Sequence, residues 1–240
     1  MNASARSYRF MSEVSRFPDV MLLAAGLGTR LRPLTDTLPK PLVPVLGTPL
    51  IERIMANARY EGAKRFVANA HYRADQILAH FGGLLKVSRE DELLGTGGGV
   101  KRALPMLHSD PFFVINTDAF WPLGSDAPLG RMISHYEGGD DIVLLCVQPR
   151  RATGFARSHD FCLSPRGEIT RDYGAPVIYA GVALLGKGLF ADTPDGAFSL
   201  NRLFEAALER ETLRGVVLDA PWFHVGDPQA LAEAERLLAQ

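Results

Sequence analysis

Short apolar runs alternate with helical patterns through the first half of the chain, and this alternation restricts the fold more than any other feature. Residues 20–25 predict a buried strand, and Thr48 followed by Pro49 predicts the N-cap and first turn of a helix that ends at Gly62. The pattern continues with strands at 65–70, 84–88 and 111–116 and helices at 74–81 and 99–107. Strands that alternate with helices pair in parallel, so the sequence predicts a three-layer α/β/α Rossmann-like fold with a mostly parallel, mixed sheet.

The second half of the chain is less regular. Asp227 before Pro228 is a typical N-cap for a last helix. The other predicted elements are helices at 129–136 and 199–211, strands at 141–147, 177–185 and 213–218, and a hairpin over 161–171. These changes of pattern divide the chain into an N-terminal extension at residues 1–19 and one domain at 20–240, with halves of approximately 20–140 and 141–240.

Composition and charge limit the partners and the location of this protein. The net charge is −1, so no overall positive field attracts nucleic acid or an anionic membrane. No apolar run approaches the roughly 20 residues that a membrane-spanning helix needs. Residues 1–19 lack the apolar core of a secretory signal, and Cys146 and Cys162 lie in apolar contexts that favour burial over a disulfide. The sequence therefore predicts a cytoplasmic protein that binds neither nucleic acid nor membrane.

A glycine-rich turn follows the first predicted strand. Gly26 and Gly28 present backbone N–H groups without side-chain obstruction, which suits a bound phosphate, and Arg30 and Lys40 add positive charge. The dinucleotide fingerprint and the P-loop both require glycine at position 31, where this chain has Leu31. The turn therefore predicts a polyphosphate site of another kind.

The full string around this turn is more specific. LAAGLGTRLRPLT at residues 23–35 and LPKPLVPV at 38–45 resemble the N-terminal signature of sugar-phosphate nucleotidylyltransferases, and the resemblance covers roughly residues 20–239. These enzymes join a nucleoside triphosphate to a sugar 1-phosphate and release pyrophosphate. Within the family, ELLGTGGG at 92–99, AFSL at 197–200 and residues 222–238 are most similar to N-acetylmuramate 1-phosphate uridylyltransferases, although mannose-1-phosphate guanylyltransferases carry a similar loop.

The resemblance implies a role for individual residues. Arg30 and Lys40 are the expected catalytic cations on the phosphates, and Asp118, after the strand at 111–116, is the expected metal ligand. Thr117 stands where the family usually has glycine. The expected nucleotide-binding residues are Ala24, Gly26, Gly28, Thr29, Glu92 and Gly97, and the expected sugar-binding residues are Asn116, Asp172 and Gly181.

The chain departs from the family pattern near its end. His224 occupies the place of a second metal-binding aspartate. Imidazole is a poorer ligand for Mg²⁺ than for Mn²⁺ or Zn²⁺, so three interpretations stay open. Asp118 and phosphate oxygens suffice for the metal, with His224 beside it; His224 itself binds the metal or a phosphate; or metal binding is weakened. The expected cofactor is Mg²⁺, with Mn²⁺ as the alternative.

These implications combine into one functional prediction with two rivals. The expected reaction joins UTP to N-acetylmuramate 1-phosphate and yields UDP-N-acetylmuramate, as in peptidoglycan recycling. A mannose-1-phosphate guanylyltransferase-like enzyme is the first rival, because a carboxylate accepts from guanine as well as from uracil. A nucleotide-sugar sensing or regulatory subunit without turnover is the second, because of His224. The predicted partners are a nucleoside triphosphate and a sugar 1-phosphate, and the predicted assembly is a monomer or homodimer.

Overall fold

The computed structural model describes residues 17–240, which form fourteen strands and six α-helices in that part of the chain. The strands are β1 (Val20–Leu23), β2 (Pro44–Val45), β3 (Thr48–Pro49), β4 (Phe66–Ala70), β5 (Lys86–Arg89), β6 (Phe112–Asn116), β7 (Ala119–Phe120), β8 (Ile142–Val147), β9 (Ala152–Thr153), β10 (Phe161–Leu163), β11 (Ile169–Thr170), β12 (Ala175–Leu185), β13 (Leu213–Val217) and β14 (Trp222–His224). The helices are α1 (Leu50–Tyr60), α2 (Ala74–Phe81), α3 (Gly95–Ala103), α4 (Pro128–His135), α5 (Asn201–Glu209) and α6 (Pro228–Leu238).

One large mixed sheet organises the molecule. Its main path runs β11-β10-β12-β6-β1-β4-β5, and β8 joins β12 to β13 beside that path. Strands β6, β1, β4 and β5 pair in parallel, whereas β12 is antiparallel to both β6 and β8. The predicted Rossmann-like α/β class is confirmed. The antiparallel strand β12 connects the parallel strands of the first half to strand β8 of the second half.

Helices cover both faces of the sheet, so the molecule has three layers and both faces are buried. In β1, Val20 and Leu22 belong to one apolar cluster and Met21 to the other, and all three are fully buried. The first cluster packs against α1, α2, α4 and α6, and the second against α3 and α5. A strand covered on both faces needs an unbroken apolar run rather than alternation, as the sequence of residues 20–25 has.

Several predicted elements agree closely with the structure. Helix α2 ends at Gly82, which adopts the left-handed conformation with φ 52°. Strands β10 and β11 form the predicted hairpin. Asp227 caps α6, since its Oδ1 accepts a hydrogen bond from the Ala230 N–H at 2.9 Å. Both cysteines are free thiols, Cys146 fully buried and Cys162 half-buried.

Two predicted helix starts are wrong. Thr48 and Pro49 form β3, which pairs with β2, and α1 begins only at Leu50, so Thr48 does not cap it. Helix α3 begins at Gly95 instead of residue 99, so the glycine run lies inside a helix. Glycine is a poor helix former, and tertiary contacts described below overcome that preference.

The start of the described chain is packed on the domain. The Phe17 ring stacks on Phe113, with ring centroids 5.6 Å apart, and Asp19 is buried before β1. The predicted extension at residues 1–19 is therefore described only in its last three residues, and residues 1–16 lie outside the described part. None of the described helices is long and apolar enough to cross a membrane.

Asp126 makes a bidentate ion pair with Arg131 of α4 and also joins this helix to the segment after β13, and the pair predicts acid sensitivity. Hydrogen bonds from Arg131 lower the pKa of Asp126 to about 2, and Asp126 also accepts from the Asp219 N–H at 2.9 Å. Because the pKa falls on folding, this stabilisation is present above about pH 4 and lost as the pH drops through about 2.

We therefore expect Asp126→Asn to lower the free energy of unfolding by about 1 kcal/mol at pH 7 and by much less near pH 2, as read from urea denaturation at both pH values. Glu233→Gln is the matched control, because Glu233 makes a bidentate pair with Arg236 within α6 on the protein surface. An Asp126→Asn effect that is equal at both pH values would contradict the prediction.

Candidate active site

A cleft of about 340 Å³ opens at the carboxyl ends of the parallel strands β1, β4 and β6. This edge is where ligands bind in open α/β sheets, because loops there diverge from the strand ends. The lining residues are Leu23, Ala24, Ala25, Gly26, Gly28, Thr29, Arg30, Lys40, Pro41, Asn69, Glu90, Leu93, Gly95, Thr96, Asn116, Thr117, Asp118 and Gly226.

The glycine-rich turn forms one wall of the cleft. Gly28 adopts φ 64°, and its carbonyl oxygen accepts from the Thr35 hydroxyl at 2.7 Å, while Leu31 anchors the turn in the core. A Cβ at Gly28 would lie 2.9 Å from Thr35 Cγ2, so both the backbone angle and the space require glycine. Arg30 is exposed beside this turn, and its Nη1 lies 3.6 Å from where a Cβ on Gly226 would be.

Lys40 and Asp118 meet in the wall of the cleft, and His224 lies beside Asp118. Lys40 Nζ lies 2.8 Å from Asp118 Oδ2, and His224 Nε2 lies 3.6 Å from the same oxygen. Burial would raise the pKa of Asp118, but His224 and Lys40 outweigh it and hold that pKa well below its usual range. Burial would lower the pKa of His224, and the Asp118 carboxylate raises it instead. The three side chains thus form a charged cluster.

Strand ends and a small second sheet bring these side chains together. Asp118 follows β6, and the Thr117 hydroxyl donates to the Leu23 carbonyl at 2.7 Å, which joins the ends of β6 and β1. Strand β14 pairs with β7, and the Val225 N–H donates to the Asp118 carbonyl at 2.8 Å. His224 is oriented by its Nδ1, which lies 3.0 Å from the Gly154 carbonyl oxygen. The Thr117 hydroxyl thus makes a bond between two strand ends that a glycine at this position could not make.

Glu92 and Gly97 do not line the cleft. Glu92 is exposed, and the Gly97 N–H donates to the Phe198 carbonyl at 2.9 Å, so that N–H is already used. The lining residues two positions earlier are Glu90, which is 2 % exposed, and Gly95. The sequence interpretation missed Glu90 because a run of charged residues suggests a solvated turn. Its position directly after β5 is the signal that could have found it.

The glycine run at the start of α3 makes room for the segment that precedes α5. A Cβ on Gly97 would overlap the Phe198 ring, and a Cβ on Gly98 would overlap the Gly196 carbonyl oxygen. Phe198 also donates its N–H to the Leu94 carbonyl at 3.0 Å, and Thr96 Oγ1 accepts from the Leu200 N–H at 2.8 Å. The predicted close approach at these glycines is made by the protein itself, by a side chain at Gly97 and by backbone at Gly98.

This packing predicts opposite effects of alanine at two helical glycines. In Gly98→Ala the new methyl meets backbone, which cannot swing aside, so we expect a loss of about 2 kcal/mol in the free energy of unfolding. In Gly130→Ala, within α4, the methyl meets no atom within 4 Å, and we expect a gain of about 0.5–1 kcal/mol. Urea denaturation of the two variants measures both; equal effects would contradict the steric explanation.

The residues predicted for the sugar are only partly together. Asn116 lines the cleft, and Gly181 at φ 83° packs against its side chain, with a Cβ position 3.1 Å from Asn116 Cβ. Asp172 is exposed and does not line the cleft. Its neighbour Arg171 pairs with Glu205 of α5, so the hairpin that carries Asp172 is held to α5.

A metal site of several protein ligands is not found in residues 17–240, where no three His, Cys, Asp or Glu side chains form a suitable group. Asp118 nevertheless suits a cation that takes most of its ligands from substrate. Its contacts with Lys40 and His224 all use Oδ2, and its side chain is 27 % exposed to the cleft. Mg²⁺ commonly binds one or two carboxylates together with phosphate oxygens and waters. The residues present therefore fit such an ion.

Comparison with known proteins identifies the class to which this fold and cleft belong. The family model described as nucleotidyl transferase matches residues 19–156. N-acetylmuramate alpha-1-phosphate uridylyltransferase of Caulobacter vibrioides is 36 % identical over 95 % of this chain and 100 % of that protein. The chain therefore belongs to the nucleotidyl transferase family.

More distant proteins share the same architecture. The mannose-1-phosphate guanylyltransferase catalytic subunit beta of Drosophila pseudoobscura pseudoobscura is 26 % identical over 87 % of this chain, which spans 59 % of that protein. The crystal structure of HddC from Yersinia pseudotuberculosis complexed with GMP-PN superposes with a TM-score of 0.71 at 24 % identity, covering 92 % of this chain and 99 % of that one. At 24 % identity, this superposition shows that the two proteins share a fold.

Proposed function

We propose that this protein transfers a uridylyl group from UTP to N-acetylmuramate 1-phosphate, with UDP-N-acetylmuramate and pyrophosphate as products. The observation that carries the proposal is the convergence of the glycine-rich turn, Arg30, Lys40 and Asp118 in one cleft. The choice of substrates is supported by the full-length similarity to the Caulobacter uridylyltransferase.

The reaction needs positioning and charge stabilisation rather than a protein nucleophile. An oxygen of the sugar phosphate attacks the α-phosphorus in line, and the bond to the bridging oxygen of pyrophosphate breaks. A phosphate monoester is already anionic at neutral pH, so no general base is required. Lys40 holds the α-phosphate and sugar phosphate, and Arg30 and the N–H groups of Gly26 and Gly28 stabilise the departing pyrophosphate.

Asp118 is the proposed ligand of Mg²⁺, or of Mn²⁺, with the remaining positions filled by phosphate oxygens and waters. The ion would supply positive charge against the triphosphate. His224 lies beside this position, because its Nδ1 is directed at the Gly154 carbonyl and its Nε2 at Asp118. It orients the carboxylate, and that carboxylate raises the pKa of His224 against the effect of burial.

Base recognition is assigned to Glu90 and the Gly95 backbone instead of Glu92 and Gly97. Glu90 lies in the cleft wall, and a carboxylate accepts a hydrogen bond from the N3–H of uracil. The nucleotide occupies the half at residues 20–140. The sugar lies at the border of the two halves, where Asn116 of the first half meets Gly181 of the second. Asp172 would reach the sugar only from the exposed hairpin that carries it.

The test is pyrophosphate release from purified protein with Mg²⁺, using UTP, CTP, GTP, ATP or dTTP together with N-acetylmuramate 1-phosphate, mannose 1-phosphate or glucose 1-phosphate. Release that is fastest with UTP and N-acetylmuramate 1-phosphate supports the proposal. Faster release with GTP and mannose 1-phosphate favours a guanylyltransferase, a candidate kept because Glu90 would equally accept from guanine N1–H. Nucleotide binding without release from any pair would support the regulatory alternative, and the proposed activity would then be wrong.

A further inference from the structure

Asn69, at the carboxyl end of β4, joins two loops of the cleft through its amide group. Its Oδ1 accepts from the Ala24 N–H at 2.8 Å, and its Nδ2 donates to Glu90 Oε1 at 2.7 Å. The second carboxylate oxygen of Glu90, Oε2, accepts from the Leu94 N–H at 3.2 Å. One chain of hydrogen bonds therefore runs from the glycine-rich turn to the start of α3.

This chain of hydrogen bonds is buried and directional. Asn69 and Glu90 are each 2 % exposed, and buried polar groups without partners are costly, so these bonds restrict both side chains. The two ends of an amide differ, because only the oxygen accepts and only the nitrogen donates. Neither Asp nor an apolar residue at position 69 could serve Ala24 and Glu90 at once.

Gly99 shows how closely α3 packs on this pair. A Cβ at Gly99 would lie 2.5 Å from both Asn69 Nδ2 and Glu90 Oε1. The absence of a side chain there brings the first turns of α3 directly over the amide and the carboxylate. The helix therefore covers the bond that sets the orientation of Glu90.

We infer that Asn69 is a positioning residue for base selection, which fixes the Glu90 carboxylate relative to the triphosphate-binding turn. The inference rests on the proposed function in that the ligand is a nucleoside triphosphate. Asn69 acts through Glu90, and the bonds to Ala24 and Glu90 set the distance between base and triphosphate. Loss of this link loosens both ends of the nucleotide site and leaves the sugar side unchanged.

The test compares Asn69→Ala with Asn57→Ala by calorimetric binding of UTP and GTP to the whole protein in the presence of Mg²⁺. Asn57 is the matched control: it is a buried amide in α1 that donates to the Trp121 carbonyl at 2.8 Å and lies outside the cleft lining. We expect Asn69→Ala to raise the Kd for UTP about tenfold. The ratio of the Kd for GTP to the Kd for UTP should fall as a result. Asn57→Ala should leave both unchanged.

Two further variants keep the outcome decisive. Asn69→Asp is isosteric and retains the acceptor for Ala24, but it faces Glu90 with a second carboxylate in place of the donor, so it displaces Glu90 without truncating the side chain. Adding Asn69→Asp to Glu90→Gln should weaken UTP binding no further than Glu90→Gln alone, because the new amide can donate to the new carboxylate and the Ala24 bond is kept. Unchanged UTP affinity and base preference in Asn69→Asp, or full additivity with Glu90→Gln, would overturn the inference.

Failure of the two proposals is distinguishable. Absence of pyrophosphate release by the wild-type protein defeats the proposed function, whereas the binding measurement still tests Asn69. Where release is observed, the KM for UTP should rise in Asn69→Asp while the KM for the sugar 1-phosphate stays within about twofold, because only the nucleotide wall is altered.

Discussion

Replacement of Lys40 by alanine is expected to lower kcat for pyrophosphate release by about 10²–10³-fold, the usual effect of removing one charged group from a transition state. Lys40 is 13 % exposed and lies 2.8 Å from Asp118, so its ammonium is held in the cleft rather than in solvent. Among residues 17–240, the alanine variant also leaves His224 as the one ion-pair partner of the Asp118 carboxylate. Steady-state kinetics with UTP and N-acetylmuramate 1-phosphate measures the effect.

Lys187→Ala is the control for this prediction. Lys187 also donates its ammonium to a protein oxygen, the Leu107 carbonyl at 2.8 Å, but it lies outside the cleft lining. It should retain wild-type kinetics even if its stability falls slightly. Equal losses in the two variants would attribute the Lys40 effect to folding, and full activity of Lys40→Ala would remove Lys40 from the site.

Asp118→Asn is expected to lower kcat by about 10²–10³-fold and to raise the Mg²⁺ concentration needed for half-maximal rate, since a neutral amide is a weaker ligand for a hard cation. The amide preserves the shape of the side chain while it removes the negative charge that faces Lys40 and His224. The measurement is a Mg²⁺ titration of pyrophosphate release at saturating substrates.

Asp126→Asn serves as the control for Asp118, because it removes an equally well-paired carboxylate that lies outside the cleft lining. It should lose stability and keep its Mg²⁺ dependence. An unchanged Mg²⁺ requirement in Asp118→Asn would exclude Asp118 as the metal ligand, and the proposed role of His224 beside that ion would fail with it.

The elements that the sequence predicted well are those whose signals are local. The apolar run of β1, the Asp227 cap of α6 and Gly82 at the end of α2 each depend on residues within a turn or a strand. The turn with Gly28 belongs to the same group, because its left-handed backbone angle follows from neighbouring residues. These features could be found without any knowledge of the fold.

The start of α3 was predicted wrongly because a distant segment decides it. The glycines of α3 are poor helix formers, yet they are helical because segment 196–200 packs against them and bonds to their N–H groups. The same contacts use the Gly97 N–H, and burial beside Asn69 distinguishes Glu90 from the exposed Glu92. No local pattern distinguishes two glutamates within one charged run.

The sequence by itself determined the fold class, the glycine-rich turn and the family, because strand and helix periodicity and a contiguous motif are properties of neighbouring residues. Only the tertiary structure decided which acid lines the cleft and how the Asp118 cluster is built. Lys40, Asp118 and His224 are distant in the chain and meet because β6 ends beside β1 and β14 pairs with β7. Electrostatic neighbours act through space, so their identity depends on the arrangement of strand ends.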